Sequence, residues 1–173
     1  FCCACLETVL EGTQAVDCCG RGKHFMHAPC LTAHVKAQLS SYDISTDSSE
    51  EMSPWPSCPL CREAIPMHIV GDLPLHARDV AILMAIAANR GLVTESRELL
   101  DREHPTVAMK FAQDALHIAS CMGHVKLARL LLDKGARPES STDNGIGCTP
   151  MHGASYHGNM EVLELLLEHA ASK

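Results

Sequence analysis

Aromatic side chains are scarce: one Trp, two Tyr and three Phe make up 3 % of the 173 residues. A pocket walled by several rings, such as a methyl-lysine cage, is excluded by supply alone. Cations are outnumbered as well. Fourteen Lys and Arg face 21 Asp and Glu, for a net charge of -7 with histidines neutral. That balance argues against non-specific binding to nucleic acid or to an anionic membrane. No apolar run approaches the roughly 20 residues of a membrane-spanning helix, and no secretory signal opens the chain. The first residue is Phe1 rather than Met, so the chain is expected to be a fragment of something longer. Also missing are the H-E-x-x-H of zinc hydrolases, a phosphate-cradling glycine loop and a G-x-S-x-G elbow. Apolar residues at 46 % and charged residues at 20 % lie near the globular average, which suits one ordinary domain or two small ones.

Cysteine is what the chain has in quantity. Eight of the ten lie in the first 61 residues: Cys2, Cys3, Cys5, Cys18, Cys19, Cys30, Cys58 and Cys61. Cys121 and Cys148 stand alone. Secreted disulfide scaffolds are also Cys-dense. Here, however, two C-x2-C pairs interleave with His24, His27 and His34, and imidazole is a zinc ligand with no part in a disulfide framework. The N-terminal part therefore reads as a metal domain of an intracellular, cytoplasmic or nuclear protein. The candidate ligands run Cys2, Cys5, then Cys18 or Cys19, then His24, His27, Cys30, then Cys58, Cys61. Four pairs make two tetrahedral sites, and thiolate plus imidazole suits two Zn2+ ions. Of the two adjacent cysteines Cys18 is preferred, because Val16 and Cys18 share a face of the strand-like run TQAVDC. His34 lies outside the spacing and reads as a surface or packing residue.

Composition shifts along the chain. Residues 1–66 hold nearly all the cysteine, and residues 40–57 (SSYDISTDSSEEMSPWPS) read as an acidic loop within that metal domain. Residues 67–78 look like a linker. From 79 onward helical patterns dominate and a repeat emerges. DALHIASCMGHVKLARLLLDKGA (114–136) aligns with TPMHGASYHGNMEVLELLLEHAA (149–171) at an offset of 35. His117 falls on His152, Gly123 on Gly158, and the Leu130–Leu132 run on Leu165–Leu167. Each copy reads as helix, glycine turn, helix, with Thr149 as a cap and Pro150 in the first turn. This pattern resembles the ankyrin repeat, whose signature is T-P-L-H-x-A and then a leucine-rich second helix. Residues 79–103, turning at Gly91, look like a divergent first repeat. The repeats are expected at 79–111, 112–146 and 147–173. The last helix keeps Leu163 and Leu167, too apolar for a terminal cap, so more repeats are expected to follow and an apolar edge to be exposed there.

The metal segment resembles a RING finger of the two-histidine type. CCACLE (2–7) looks like that family's opening, HFMHAPCL (24–31) like its H-x-x-H-x-x-C-L centre, and SCPLCREAI (57–65) like its closing C-P-x-C-R. The resemblance implies a cross-brace, with one zinc on Cys2, Cys5, His27 and Cys30 and the second on Cys18, His24, Cys58 and Cys61. The fold class expected is thus a small zinc-bound cross-brace domain of irregular α+β structure, followed by an all-α ankyrin stack.

A closed four-ligand zinc has no open position for water, and no cysteine stands beside an evident base. The chemistry must then be borrowed from a partner. The RING resemblance implies how: as a ubiquitin ligase, the domain would dock a ubiquitin-conjugating enzyme and hold its ubiquitin for attack by a substrate lysine. Ala4, Pro59 and Leu60 would form the docking groove, and Arg62 would be the cation bridging ubiquitin and its carrier. Ala4 is smaller than the usual residue there. His34 stands where a Trp is frequent, with Trp55 a possible substitute. The repeats would select a protein substrate through Met122, Tyr156 and His157, with Cys121, Asp143, Asn144 and Ile146 nearby. A weaker resemblance, to the zinc and ankyrin region of euchromatic histone-lysine methyltransferases, implies instead a non-catalytic protein-interaction module.

Overall fold

The computed structural model describes residues 2, 5, 15–19, 22, 24–41, 55–141 and 147–171. Cys3, Ala4, Asp143, Asn144, Ile146 and most of the acidic loop lie outside them. The chain divides into two compact units, Phe1–Leu83 and Met84–Lys173.

The first unit begins with a short antiparallel hairpin of β1 (Ala15–Asp17) and β2 (Phe25–His27), in the register Val16 opposite Met26. Side chains alternate across a strand. Met26 is accordingly buried while Phe25 lies 40 % exposed. The Asp17 carboxylate accepts from the backbone N–H of Cys19 and of Gly22, folding the chain back after β1. Helix α1 (Ala28–Ser40) follows β2 directly, with Pro29 in its first turn, where no backbone N–H is needed. Leu31, Val35 and Leu39, spaced four apart, form its buried stripe.

Beside that stripe His34 and Gln38, one turn apart, hold the chain before Cys58. The His34 Nε2 donates to the Ser57 carbonyl at 2.9 Å. The Gln38 amide oxygen accepts from Ser57 N at 3.0 Å, and its nitrogen reaches Ser57 Oγ at 3.3 Å. The His34 expected at the surface or in packing is thus the clamp on this turn. Trp55 is buried and donates through Nε1 to the Ile65 carbonyl at 2.9 Å, so its ring belongs to the core of this unit. The stretch read as a linker holds α2 (Met67–Gly71), with Met67, Ile69 and Val70 buried.

Helix α3 (Ala77–Arg90) leads into the second unit. There α4 (Val93–Arg102), α5 (Pro105–Met122), α6 (Val125–Asp133), α7 (Pro150–Tyr156) and α8 (Met160–Ala171) stack as helical hairpins, α5 against α6 and α7, and α6 against α8. The glycine turns fall where the repeat places them, at Gly91, Gly123 and Gly158, all with positive φ. The leucine run is buried in the second repeat. In the third, Leu165 and Leu166 are buried, Leu163 is half-buried and Leu167 is 52 % exposed. Thr149 caps α7 in a reciprocal box with His152: its Oγ1 accepts from His152 N at 3.3 Å, and its own N–H donates to His152 Nδ1 at 3.3 Å. At the equivalent place in the second repeat Asp114 and Ala115 replace Thr and Pro. Nothing there breaks a helix, so α5 starts at Pro105 and runs through the expected boundary at 111/112 as 18 continuous residues.

Each repeat is stapled to the one before it. His124 Nε2 donates to the Asn89 carbonyl at 2.6 Å, and its ring lies over Gly91, where a Cβ would meet it at 2.8 Å. One repeat on, Asn159 Nδ2 donates to the carbonyls of Ser120 and Cys121 at 2.8 and 2.7 Å, with its Oδ1 over Gly123. Gly158 has the same positive φ and open space around it. This comparison yields a test by thermal melts. Gly158→Ala pays only for the left-handed backbone, about 1–2 kcal/mol. Gly123→Ala must in addition displace Asn159 from two carbonyls, which brings its cost to about 2–4 kcal/mol. Equal melting shifts for the two variants would refute the staple.

Candidate metal centre

Two groups of four donors come together in the first unit. Cys2, Cys5, His27 and Cys30 form one, and Cys19, His24, Cys58 and Cys61 the other. Within each group the ligand atoms lie within 4.8 Å of one another. The donors lie on β2, on α1 and in the segments that flank them. Cys2 bridges alongside Phe25 at the start of β2. His27 closes β2, and Cys30 sits in the first turn of α1. Cys58 and Cys61 flank a tight turn closed by Arg62 N donating to Cys58 O and Cys58 N donating to Glu63 O, both at 2.9 Å.

The spacings suit a tetrahedral cation. Zinc bonds of about 2.3 Å to sulfur and about 2.0–2.1 Å to nitrogen place neighbouring ligands about 3.5–3.8 Å apart. In the first group Cys5 Sγ and Cys30 Sγ lie 3.4 and 3.9 Å from His27 Nδ1. In the second, Cys19 Sγ is 3.1 Å from His24 Nδ1 and 3.3 Å from Cys61 Sγ, and Cys58 Sγ is 3.7 Å from that same nitrogen. Each group offers three thiols and one imidazole, and each can hold one zinc ion. Read along the chain, the first and third pairs share one group and the second and fourth share the other.

One ligand differs from the sequence expectation. Cys19, not Cys18, completes the second group. Strand alternation would have kept Cys18 with Val16, but β1 ends at Asp17 and both cysteines lie in the turn beyond it. Cys18 continues the ladder through its N–H to His24 O at 3.0 Å and points into the core, fully buried. Its thiol donates to His24 O at 3.2 Å and lies 3.4 Å from Cys58 Sγ.

The thiols shift one another's ionisation in both directions. Burial, then the neighbouring thiols of Cys61 and Cys58, push Cys19 up to about 12. Burial, then Cys5 and Cys2, push Cys30 up to about 11. Burial also acts on Cys58, but hydrogen bonds from the backbone N–H groups of Cys61 and Leu60 and from the Cys19 and Cys18 thiols together outweigh it and bring that thiol down to about 7.

The remaining expected site residues fall in two places. Pro59, Leu60 and Arg62 are exposed on the Cys58–Cys61 turn, Leu60 to 60 %. In the second unit Tyr156 is 87 % exposed at the end of α7, its ring edge-on to His157 at 5.1 Å, and Met122 is half-buried at the matching end of α5. A polar cleft of about 410 Å³, not foreseen from the sequence, lies between α5 and the turn after α6. It includes Lys110, Gln113 and Arg137.

Comparison with known proteins bears on that second unit. A family model described as "Ankyrin repeats (3 copies)" matches residues 83–173, just over half the chain. The chain belongs to the ankyrin-repeat family. The matched stretch runs from within α3 to the end of the chain, and ankyrin repeats imply protein partners. The inactive serine/threonine-protein kinase TEX14 of Mus musculus is 42 % identical over 55 residues, which are 32 % of this chain and 4 % of that protein. The chain thus spans only a small part of that relative's length. Among the described residues no helix is long and apolar enough to cross a membrane.

Metal binding should be strongly pH-dependent. Cys19 and Cys30, with raised values, are protonated near neutral pH and must shed protons to ligate. Zinc affinity is therefore expected to rise with pH and to fall steeply from pH 7 to pH 5, with net proton release. Calorimetry at pH 7 in two buffers of different ionisation enthalpy measures this, and zero proton release would contradict the ligand sets.

Proposed function

We propose that this chain is a RING-type ubiquitin ligase segment whose zinc unit docks a charged ubiquitin-conjugating enzyme and whose ankyrin repeats hold a protein substrate. The observation that carries the reading is the interleaving of the two donor groups, which matches the cross-brace the RING resemblance implies. In this reading Cys2, Cys5, His27 and Cys30 hold one zinc, and Cys19, His24, Cys58 and Cys61 the other. The metals shape the docking loops and take no part in bond making. Pro59 and Leu60 offer the exposed apolar contact. Arg62 reaches across to ubiquitin and its carrier, as a multi-donor guanidinium can. The rate gain comes from orientation of the thioester.

Arg62 has a second feature in its favour. It is the one non-glycine residue with positive φ among those described, at 58°. A left-handed backbone costs an L-residue about 1–2 kcal/mol relative to glycine. An arginine kept at that cost, exposed beside the last ligand, is better explained by a role for its side chain than by the turn.

One observation favours a second reading, a non-catalytic interaction module. His34 is engaged by the Ser57 carbonyl and Trp55 is buried, so neither presents an exposed ring to a conjugating enzyme. Single-turnover discharge of ubiquitin from a panel of charged conjugating enzymes separates the two. A ligase accelerates discharge. Arg62→Ala then slows it at least several-fold with zinc retained, and Arg62→Gly loses the same activity while melting no lower than the unaltered chain. No acceleration by any conjugating enzyme, or full activity in both variants, would favour the second reading.

A further inference from the structure

The second donor group has a fifth thiol against it. Cys18 is fully buried, and its Sγ lies 3.4 Å from Cys58 Sγ and 3.8 Å from Cys19 Sγ. Two sulfurs on one tetrahedral zinc stand about 3.8 Å apart. Cys18 is therefore already at co-ligand distance from two of the group's sulfurs, although it is not one of the four. We propose that Cys18 is a reserve ligand: it takes the place of Cys19 and closes the same site with Cys58, Cys61 and His24.

The local geometry makes the exchange a side-chain event. Consecutive side chains on an extended strand point to opposite faces, but Cys18 and Cys19 lie in a turn that brings their thiols together. A one-well rotation about χ1 carries a cysteine sulfur about 3 Å, comparable to the distance between the two thiols. The backbone need not travel, because Cys18 N stays bonded to His24 O and Cys19 N to Asp17 Oδ1. What is given up is the thiol bond to the His24 carbonyl, and S–H is a weak donor. On ligation the Cys18 S–H bond breaks, a metal–sulfur bond forms, and the proton passes to solvent. The site then carries five donors for four positions and keeps its metal when the Cys19 thiol is blocked or replaced. This inference rests on the metal reading of the group and is independent of ligase activity.

The test uses the full chain with Co2+ as a probe, reading metal ions per chain by native mass spectrometry. The tetrahedral ligand-field bands and the thiolate-to-cobalt charge-transfer band are recorded alongside. Cys18→Ala and Cys19→Ala are each expected to bind two metals with the tetrahedral bands kept. The Cys18→Ala/Cys19→Ala double variant is expected to bind one, as is Cys18→Ala/Cys61→Ala, which also leaves only three donors and is the reference for a lost site. Cys19→Ala binding one metal, or failing to fold as Cys18→Ala/Cys61→Ala does, overturns the proposal. So does a double variant that still binds two. Fewer than two metals in the unaltered chain would overturn the donor groups themselves, and the reserve ligand with them.

Discussion

Four separate pieces of chain must meet at two points for the first unit to exist, and the cation–thiolate bond is what can make them stay. Between Cys5 and His27 lie 21 residues, and between His24 and Cys58 another 33, whose ends must be brought together. Loop closure grows only slowly with length, but here little apolar surface is available to offset it. Around the donor groups themselves the buried apolar side chains among the described residues are few: Met26, the α1 stripe, Trp55 and Ile65. A structural zinc contributes on the order of 10–16 kcal/mol of binding free energy to folding. That is comparable to the whole stability of an ordinary domain.

Because the two donor groups interleave, neither half of this unit is independent. The β1–β2 hairpin supplies ligands to both groups through His24 and His27 at either end of β2. Helix α1 carries Cys30 into one group and, through His34 and Gln38, holds Ser57 beside Cys58 of the other. A disturbance at one group is felt at the second through these elements. The exposed turn with Pro59, Leu60 and Arg62 inherits its shape from the same anchoring. The ankyrin unit is built on a different principle, nearest-neighbour packing with a polar staple at each junction, and so needs no metal.

Most of this was legible because the signals were local and periodic. The C-x2-C and H-x2-H-x2-C spacings pointed to seven of the eight residues that gather in the two donor groups, and the offset of 35 located the hairpins and their glycines. What escaped were features set by neighbours. Cys18 and Cys19 differ by one position, and the face rule that favoured Cys18 fails once the strand gives way to a turn. The length of α5 was hidden because the repeat was aligned from Asp114, while the first nine residues of the helix have no counterpart in the third copy. The staples at His124 and Asn159 stand in equivalent places after a glycine, a signal present in the alignment. Only the carbonyls they reach, in the preceding repeat, give it meaning. The inward turn of Trp55 depends on Ile65 and could not be read from the composition around it.

The most direct test is to count zinc ions by native mass spectrometry and then remove them with a chelator while following hydrogen exchange. The account predicts two zinc ions per chain. On their removal, protection should collapse in residues 24–41 and 55–65 and persist in α5, α6, α7 and α8. A chain that holds fewer than two zinc ions, or one whose exchange in 24–41 and 55–65 is unchanged by their loss, would contradict it.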